Sequence, residues 1–326
     1  MRTKAIAVLT VVVLAGICLP AIADPLPGEI LKFQQLPMDG TIIPSSDGTI
    51  TRYYGHDELS TAYYAPAVGG YQGTFMADDF ADKFATPVVH VTWWGSYPGS
   101  TNPVGVKQFA IVFESDVPAD ATNNFSHPGT VLLAQKVVSG LVTPGSGTFT
   151  ETLVSGGGAP LNEALYKYNA ELKVPFQQKP DTVYWLKIVA LIDDPANESR
   201  WGWHNRDYTV KDSLASAVPV PGERDEQPLI DPTYPASVWH FQDDAVTGQV
   251  WLHLGPDGIN VDQTQYKPVN YLDETDGPGN IPGTIGGNIG QFSKDLAFEL
   301  YTVPEPATLA LLALGGLAVM RRRRKQ

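Results

Sequence analysis

One short run of the chain holds its densest set of ligand-binding groups. Trp201, Trp203, His204, Asn205, Arg206 and Asp207 bring two indoles, an imidazole, an amide, a guanidinium and a carboxylate together within seven residues. Indole rings stack on the apolar faces of sugar rings, and the polar groups can pair with hydroxyls. The run is therefore a candidate carbohydrate site on a loop, with Trp94 as a further stacking residue. The competing reading is that Trp201 and Trp203 pack a long loop onto a sheet. Two pairs of neighbouring aspartates, Asp78-Asp79 and Asp243-Asp244, could donate oxygens to a structural calcium ion, with Asp193 and Asp194 as further donors. Calcium needs about six to eight such ligands, and no EF-hand spacing is present, so ordinary turn and surface roles compete with this one.

Patterns that would carry catalysis are missing. The six histidines show no His-Glu-x-x-His zinc spacing, although His240 and His253 could approach each other on paired strands. No Gly-x-Ser-x-Gly elbow and no phosphate-binding glycine loop occurs. A glycosidase needs two carboxylates facing across a cleft. Glu114, Glu171 and Glu299 lie in or beside strand-like stretches, the latter two expected on solvent faces. No catalytic residue is assigned, and no cofactor beyond the possible calcium.

The two ends read as processing signals. Arg2 and Lys4 precede an apolar run of about 15 residues, too short to span a bilayer. Pro20 and the small-x-small pattern of Ala21 and Ala23 then mark a secretory cleavage site. The single cysteine, Cys18, leaves with that segment, so the mature body holds neither disulfide nor thiolate. At the other end, Pro304, Glu305 and Pro306 precede a short apolar stretch and the basic cluster of residues 321–325. This tripartite end resembles the sorting tails of PEP-CTERM proteins. The resemblance implies export, recognition by a membrane transpeptidase of the exosortase class, and delivery to the cell surface or extracellular matrix. Contact with the membrane would be only through this tail, before processing.

Between the signals, residues 24–303 carry 15 basic side chains against 34 acidic ones. So acidic a body repels a phosphate backbone, and no nucleic-acid partner is expected. Proline and glycine number 27 and 31, which suits short strands and many turns rather than helical bundles. Residues 166–174 alternate cleanly between apolar and polar, as a half-buried strand does. Strands are also predicted at 88–94, 109–113, 130–138, 148–154, 183–191, 238–241, 249–254 and 296–301. The stretch 183–191 is apolar nearly throughout, which predicts a central strand covered on both faces. No segment of the body sustains a helical period. The expected fold is all-β: an antiparallel β-sandwich, jelly-roll-like, with an immunoglobulin-like arrangement as the alternative. It forms one domain with a long loop at about 215–237 and a Gly/Pro-rich loop at 276–288. Short hydrophobic helices lie outside it at both ends.

The body carries a second resemblance. Met76-Ala77-Asp78-Asp79-Phe80, followed by Trp94-Gly95-Ser96-Tyr97, resembles an uncharacterised sandwich domain of secreted proteins from planctomycetes and related bacteria. The likeness spans about residues 75–301 and implies no activity. Three function classes follow: a structural or matrix-associated surface protein, a module that binds extracellular polysaccharide, and, least favoured, a glycoside-active enzyme.

Overall fold

A computed structural model of the chain describes residues 25–44, 50–55, 57–100, 102–122, 125–156, 164–207, 209–216, 227–230, 237–240, 245–255, 258–268 and 295–304. These residues form strands and turns, with no helix among them. The strands are β1 (Ile30–Gln35), β2 (Thr41–Pro44), β3 (Ile50–Tyr53), β4 (Asp57–Leu59), β5 (Thr61–Ala65) and β6 (Gly70–Phe80). They continue with β7 (Val88–Ser96), β8 (Gln108–Val117), β9 (His127–Ser139), β10 (Thr148–Ser155), β11 (Leu165–Phe176) and β12 (Tyr184–Ile192). The last six are β13 (Gly202–His204), β14 (Gln227–Ile230), β15 (Ser237–His240), β16 (Val246–Gly255), β17 (Gly258–Pro268) and β18 (Phe298–Thr302). All nine strands expected from the sequence are present.

Instead of two separate antiparallel sheets, one large mixed sheet runs in the order β1-β18-β7-β11-β10-β9-β8-β12-β5-β6-β16-β17, with β4 and β13 alongside β7. Two small ribbons, β2-β3 and β14-β15, lie apart from it. The pairings β9-β10 and β5-β12 are parallel. The second follows from β6. One half of β6 pairs antiparallel with β12 and the other half pairs antiparallel with β5. A strand wedged between them must then run parallel to β12. Gly73 permits the wedge, because a Cβ there would lie 2.6 Å from the Cα of Ala62.

The sheet supplies both walls of its own core. β7 and β8 are separated by three strands along the sheet, yet the rings of Trp93 and Phe109 meet edge-on with centroids 5.2 Å apart. Trp93 also stacks on Tyr168 at 5.4 Å. Curling thus does the work expected of a second layer, and it buries the apolar faces of strands far apart in sheet order. β12 shows the predicted central character: all nine residues are buried. Tyr184, Leu186, Ile188, Ala190 and Ile192 face this first core. Trp185, Val189 and Leu191 face a second core built with Phe75, Val250 and Leu252.

Three local expectations need correction. The run after Trp201 is strand β13, paired with β4 and β7, not a loop. The presumed loop at 215–237 contains β14; Pro228 and the surrounding acidic residues hid it, and proline is tolerated in a two-stranded ribbon. Glu171 and Glu299 are buried rather than solvent-facing, because both sides of β11 and β18 are covered. The loop at 276–288 and both terminal helices lie outside the described residues.

Candidate functional site

The residues first picked as a ligand site form an internal strut. Trp201 and Trp203 are fully buried, and His204, Asn205 and Arg206 are buried beside them. The Trp203 indole N–H donates to the Ala297 carbonyl at 2.9 Å. Both nitrogens of His204 face acceptors, the Asp57 carboxylate at 3.1 Å and the Met38 carbonyl at 2.9 Å. Arg206 donates to Asp295 at 2.9 Å and to the Val210 carbonyl at 2.9 Å. The Asn205 amide donates to the Arg206 carbonyl, and the Asp207 carboxylate accepts from Thr41 Oγ1 at 2.7 Å. The side chains of Trp203, His204 and Arg206 pin the segments around Met38 and around residues 295–297. Trp94 is buried too, against Leu165, Ala297 and Leu36, with the Lys167 ammonium 5.1 Å from its ring centre.

Of the four aspartates expected to hold calcium, only Asp78 and Asp79 lie among the described residues. Asp78 and Asp79 are both fully buried on β6. Asp78 accepts from the backbone N–H of Leu296 at 2.6 Å and of Asp79 at 3.1 Å. Burial and the neighbouring Asp295 push its carboxyl well above the usual carboxylate range. Asp193 is held by Tyr71 at 2.6 Å and by Gln108 at 3.0 Å. Asp243, Asp244, Ala21, Ala23, Glu305 and Pro306 lie outside the described residues, and Pro304 is their boundary.

Buried charge recurs through the body. Lys32 on β1 is fully buried, with Nζ 3.7 Å from Asp82 and the Thr86 carbonyl accepting from it. Burial outweighs the attraction of Asp82 and lowers the ammonium from 10.5 to about 8. The folded state therefore binds fewer protons at Lys32 than the unfolded state between those two values. The contribution of this group to stability is lowest below the folded value and rises with pH through that window. The full rise amounts to about 3 kcal/mol. Urea unfolding at about pH 8 and about pH 10 should show wild type gaining stability relative to Lys32→Met, with tyrosine titration common to both.

An exposed array lies elsewhere, on the first-core face where it runs out past β12. Cross-strand neighbours share a face. Ile192 of β12 stands beside Tyr63 of β5, Tyr63 beside Gln72 of β6, Gln72 beside Trp251 of β16, and Trp251 beside Asp262 of β17. Ile192 is buried, but Tyr63 is 36% exposed and Trp251 44%. Asp262 and His253 are exposed as well, 3.4 Å from each other. Tyr63 and Trp251 are separated by two strand spacings, about 9.5 Å. The row thus sets two aromatic rings on a rigid sheet with an amide between them and a carboxylate and imidazole at one end. The sequence predicts a strand at 249–254 and does not single out Trp251 as a ligand residue. The signal was present in β16, where Gln249, Trp251 and His253 alternate with Val250 and Leu252, so the tryptophan belongs to the polar face.

One further group of charged side chains meets inside the sheet. His90 on β7, Glu171 on β11 and Glu29, just before β1, bring ligand atoms within 4.8 Å of one another. Burial opposes charge on His90, but the two carboxylates prevail and raise the imidazole to about 9.

Residues 31–246, two thirds of the chain, match a family described as Domain of unknown function (DUF7901). This span begins and ends earlier than the span of 75–301 suggested by its motifs. It includes Tyr63 and Gln72; Trp251 and Asp262 lie past its end. Residues 302–325 match the PEP-CTERM protein-sorting motif, which marks a chain for export and exosortase-type processing. No curated protein and no solved structure matches the chain. No helix among the described residues is long and apolar enough to cross a membrane.

Proposed function

The chain belongs to the DUF7901 family, and on that footing we propose that it is a non-enzymatic, matrix-associated surface protein that holds extracellular polysaccharide on the Tyr63–Trp251 face. The observation that carries the reading is the single cross-strand row of Tyr63, Gln72, Trp251 and Asp262 on an exposed, rigid face. Two rings on alternate strands suit an extended polymer better than a small ligand, and amide and carboxylate groups beside them suit hydroxyls. The export motif delivers the body to where such polymers are found. The excess of 34 acidic over 15 basic side chains in residues 24–303 favours a neutral glycan over an anionic one. Absence of catalysis is supported by the surroundings of the perturbed acids. Asp78, Asp82 and Asp212 are buried and engaged with backbone N–H groups rather than facing across an open cleft.

Affinity electrophoresis of the full-length protein through gels containing a neutral β-glucan, a xylan or an anionic alginate tests the reading. Retardation is expected in a neutral gel and not in alginate. Trp251→Ala should weaken binding at least about tenfold, as loss of a central aromatic contact does. Tyr63→Ala should weaken it in the same direction, and the stability of both variants should stay within about 0.5 kcal/mol of wild type. Retardation that survives both substitutions, or no retardation in any gel, refutes the assignment.

A further inference from the structure

We propose that Glu29, His90 and Glu171 form a zinc site that ties the start of the exported body to its main sheet. The cluster is built from three places in the chain. His90 and Glu171 are directly opposed on β7 and β11, and Tyr301 of β18 flanks His90 on the other side. Glu29 arrives from the turn before β1. All three side chains are almost completely buried, at 0%, 5% and 3% exposure for His90, Glu171 and Glu29.

The distances suit a shared cation better than a hydrogen-bonded trio. His90 Nδ1 lies 3.2 Å from Glu29 Oε2 and 3.5 Å from Glu171 Oε2. Charge-assisted N–H···O bonds are shorter, about 2.7–2.9 Å. His90 Nδ1 stands at ion-pair distance from both carboxylates, but neither nitrogen of His90 nor Glu171 Oε2 has a well-aligned hydrogen bond. Ligands bound to zinc at about 2.0–2.1 Å in a tetrahedron stand about 3.3 Å apart, close to the 3.2 and 3.5 Å that separate His90 Nδ1 from the two carboxylates.

Ligand chemistry narrows the cation. One imidazole and two carboxylates are donors zinc accepts readily, whereas calcium takes oxygen ligands alone and more of them. Three protein ligands leave a fourth position for water or another donor. Pro27, Gly28 and Ile30 of the turn that carries Glu29 are exposed. Glu29 is also anchored locally, since its Oε2 accepts from the Leu26 N–H at 2.7 Å. A bound ion would therefore clamp the Leu26–Glu29 turn onto β7 and β11. This site is separate from the aromatic row and does not depend on it.

The test uses the full-length protein, stripped with a chelator and titrated with zinc chloride by calorimetry, with metal content measured after dialysis. One zinc per chain is expected, together with a rise in Tm. Cobalt in its place should give the visible absorption of a four-coordinate ion. His90→Ala should abolish uptake, and Glu29→Gln and Glu171→Gln should each weaken it at least about tenfold. Glu29→Gln lies in a turn outside the sheet, so it decides the matter even where His90→Ala fails to fold. No zinc uptake by wild type, uptake of calcium in preference to zinc, or unchanged affinity in Glu29→Gln overturns the proposal.

Discussion

Lys187→Met is expected to destabilise the protein by about 3–5 kcal/mol, because it removes one partner of a buried ion pair from a dry interior. The two side chains are fully buried, with Lys187 Nζ 2.7 Å from Glu114 Oε2. They sit on the second-core face of β12 and β8, among Trp185, Val189 and Ala110. The ammonium also lies 4.1 Å from the centre of the Phe75 ring, a contact that offsets part of its lost hydration. Desolvation still lowers the Lys187 pKa, against the pull of Glu114. Burial of both ions is costly, so the pair is far from optimal for stability even though breaking it is worse. The double variant Lys187→Met, Glu114→Leu should recover most of the loss and could exceed wild type by about 1–4 kcal/mol. Urea denaturation of wild type, both single variants and the double variant measures the coupling. Additive losses would show that the pair does not act as a unit.

Trp201→Ala is the second large effect, expected to cost about 3–5 kcal/mol while leaving polysaccharide binding by the folded fraction unchanged. The Trp201 ring meets Phe109 edge-on at 4.9 Å and Tyr168 at 5.8 Å, inside the aromatic cluster that closes the curled sheet. Its carbonyl accepts from Thr61 Oγ1 at 2.7 Å and from the Ser60 N–H at 3.2 Å, so the same residue seats the chain between β4 and β5. Gly95 leaves the room for this ring: a Cβ there would stand 2.5 Å from Trp201 Cζ2. Gly95→Ala should therefore destabilise in the same direction, and Trp201→Phe less than Trp201→Ala. Thermal unfolding with a parallel gel-retardation assay separates packing from recognition. Selective loss of binding at unchanged stability would return Trp201 to the role of a ligand residue.

How far the fold could be read from the sequence depends on whether each strand carried its own pattern. Residues 166–174 and 183–191 did, since alternation and continuous apolarity follow from which faces are covered. β6 did not. It contains Gly70, Gly73, Asp78 and Asp79, poor strand formers taken singly. They are accommodated because Gly73 admits β5 and because Asp78 receives backbone N–H groups from β6 itself and from residue 296. β13 is three residues long and is masked in the sequence by the polar groups that follow Trp203, of which His204, Asn205 and Arg206 are buried. The candidate site divides the same way. Trp251 could have been assigned to the solvent face from the alternation of β16. Its alignment with Tyr63 could not, because the two lie on separate strands with β6 between them.

Address and class were set by the chain itself. The Pro304-Glu305-Pro306 motif with its apolar and basic tail and the turn-rich body are local features, and local features mark the chain for exosortase-type sorting and favour an all-strand architecture. Tertiary structure alone decided that one sheet curls to make its own second wall, that β5 runs parallel to β12, and that Trp201 and Trp203 are core. It alone brought Glu29 beside His90 and Glu171. The physical reason is that these outcomes depend on strand register and on contacts between residues tens to hundreds of positions apart. A two-residue period states which face a side chain takes, but not which strand will lie across from it.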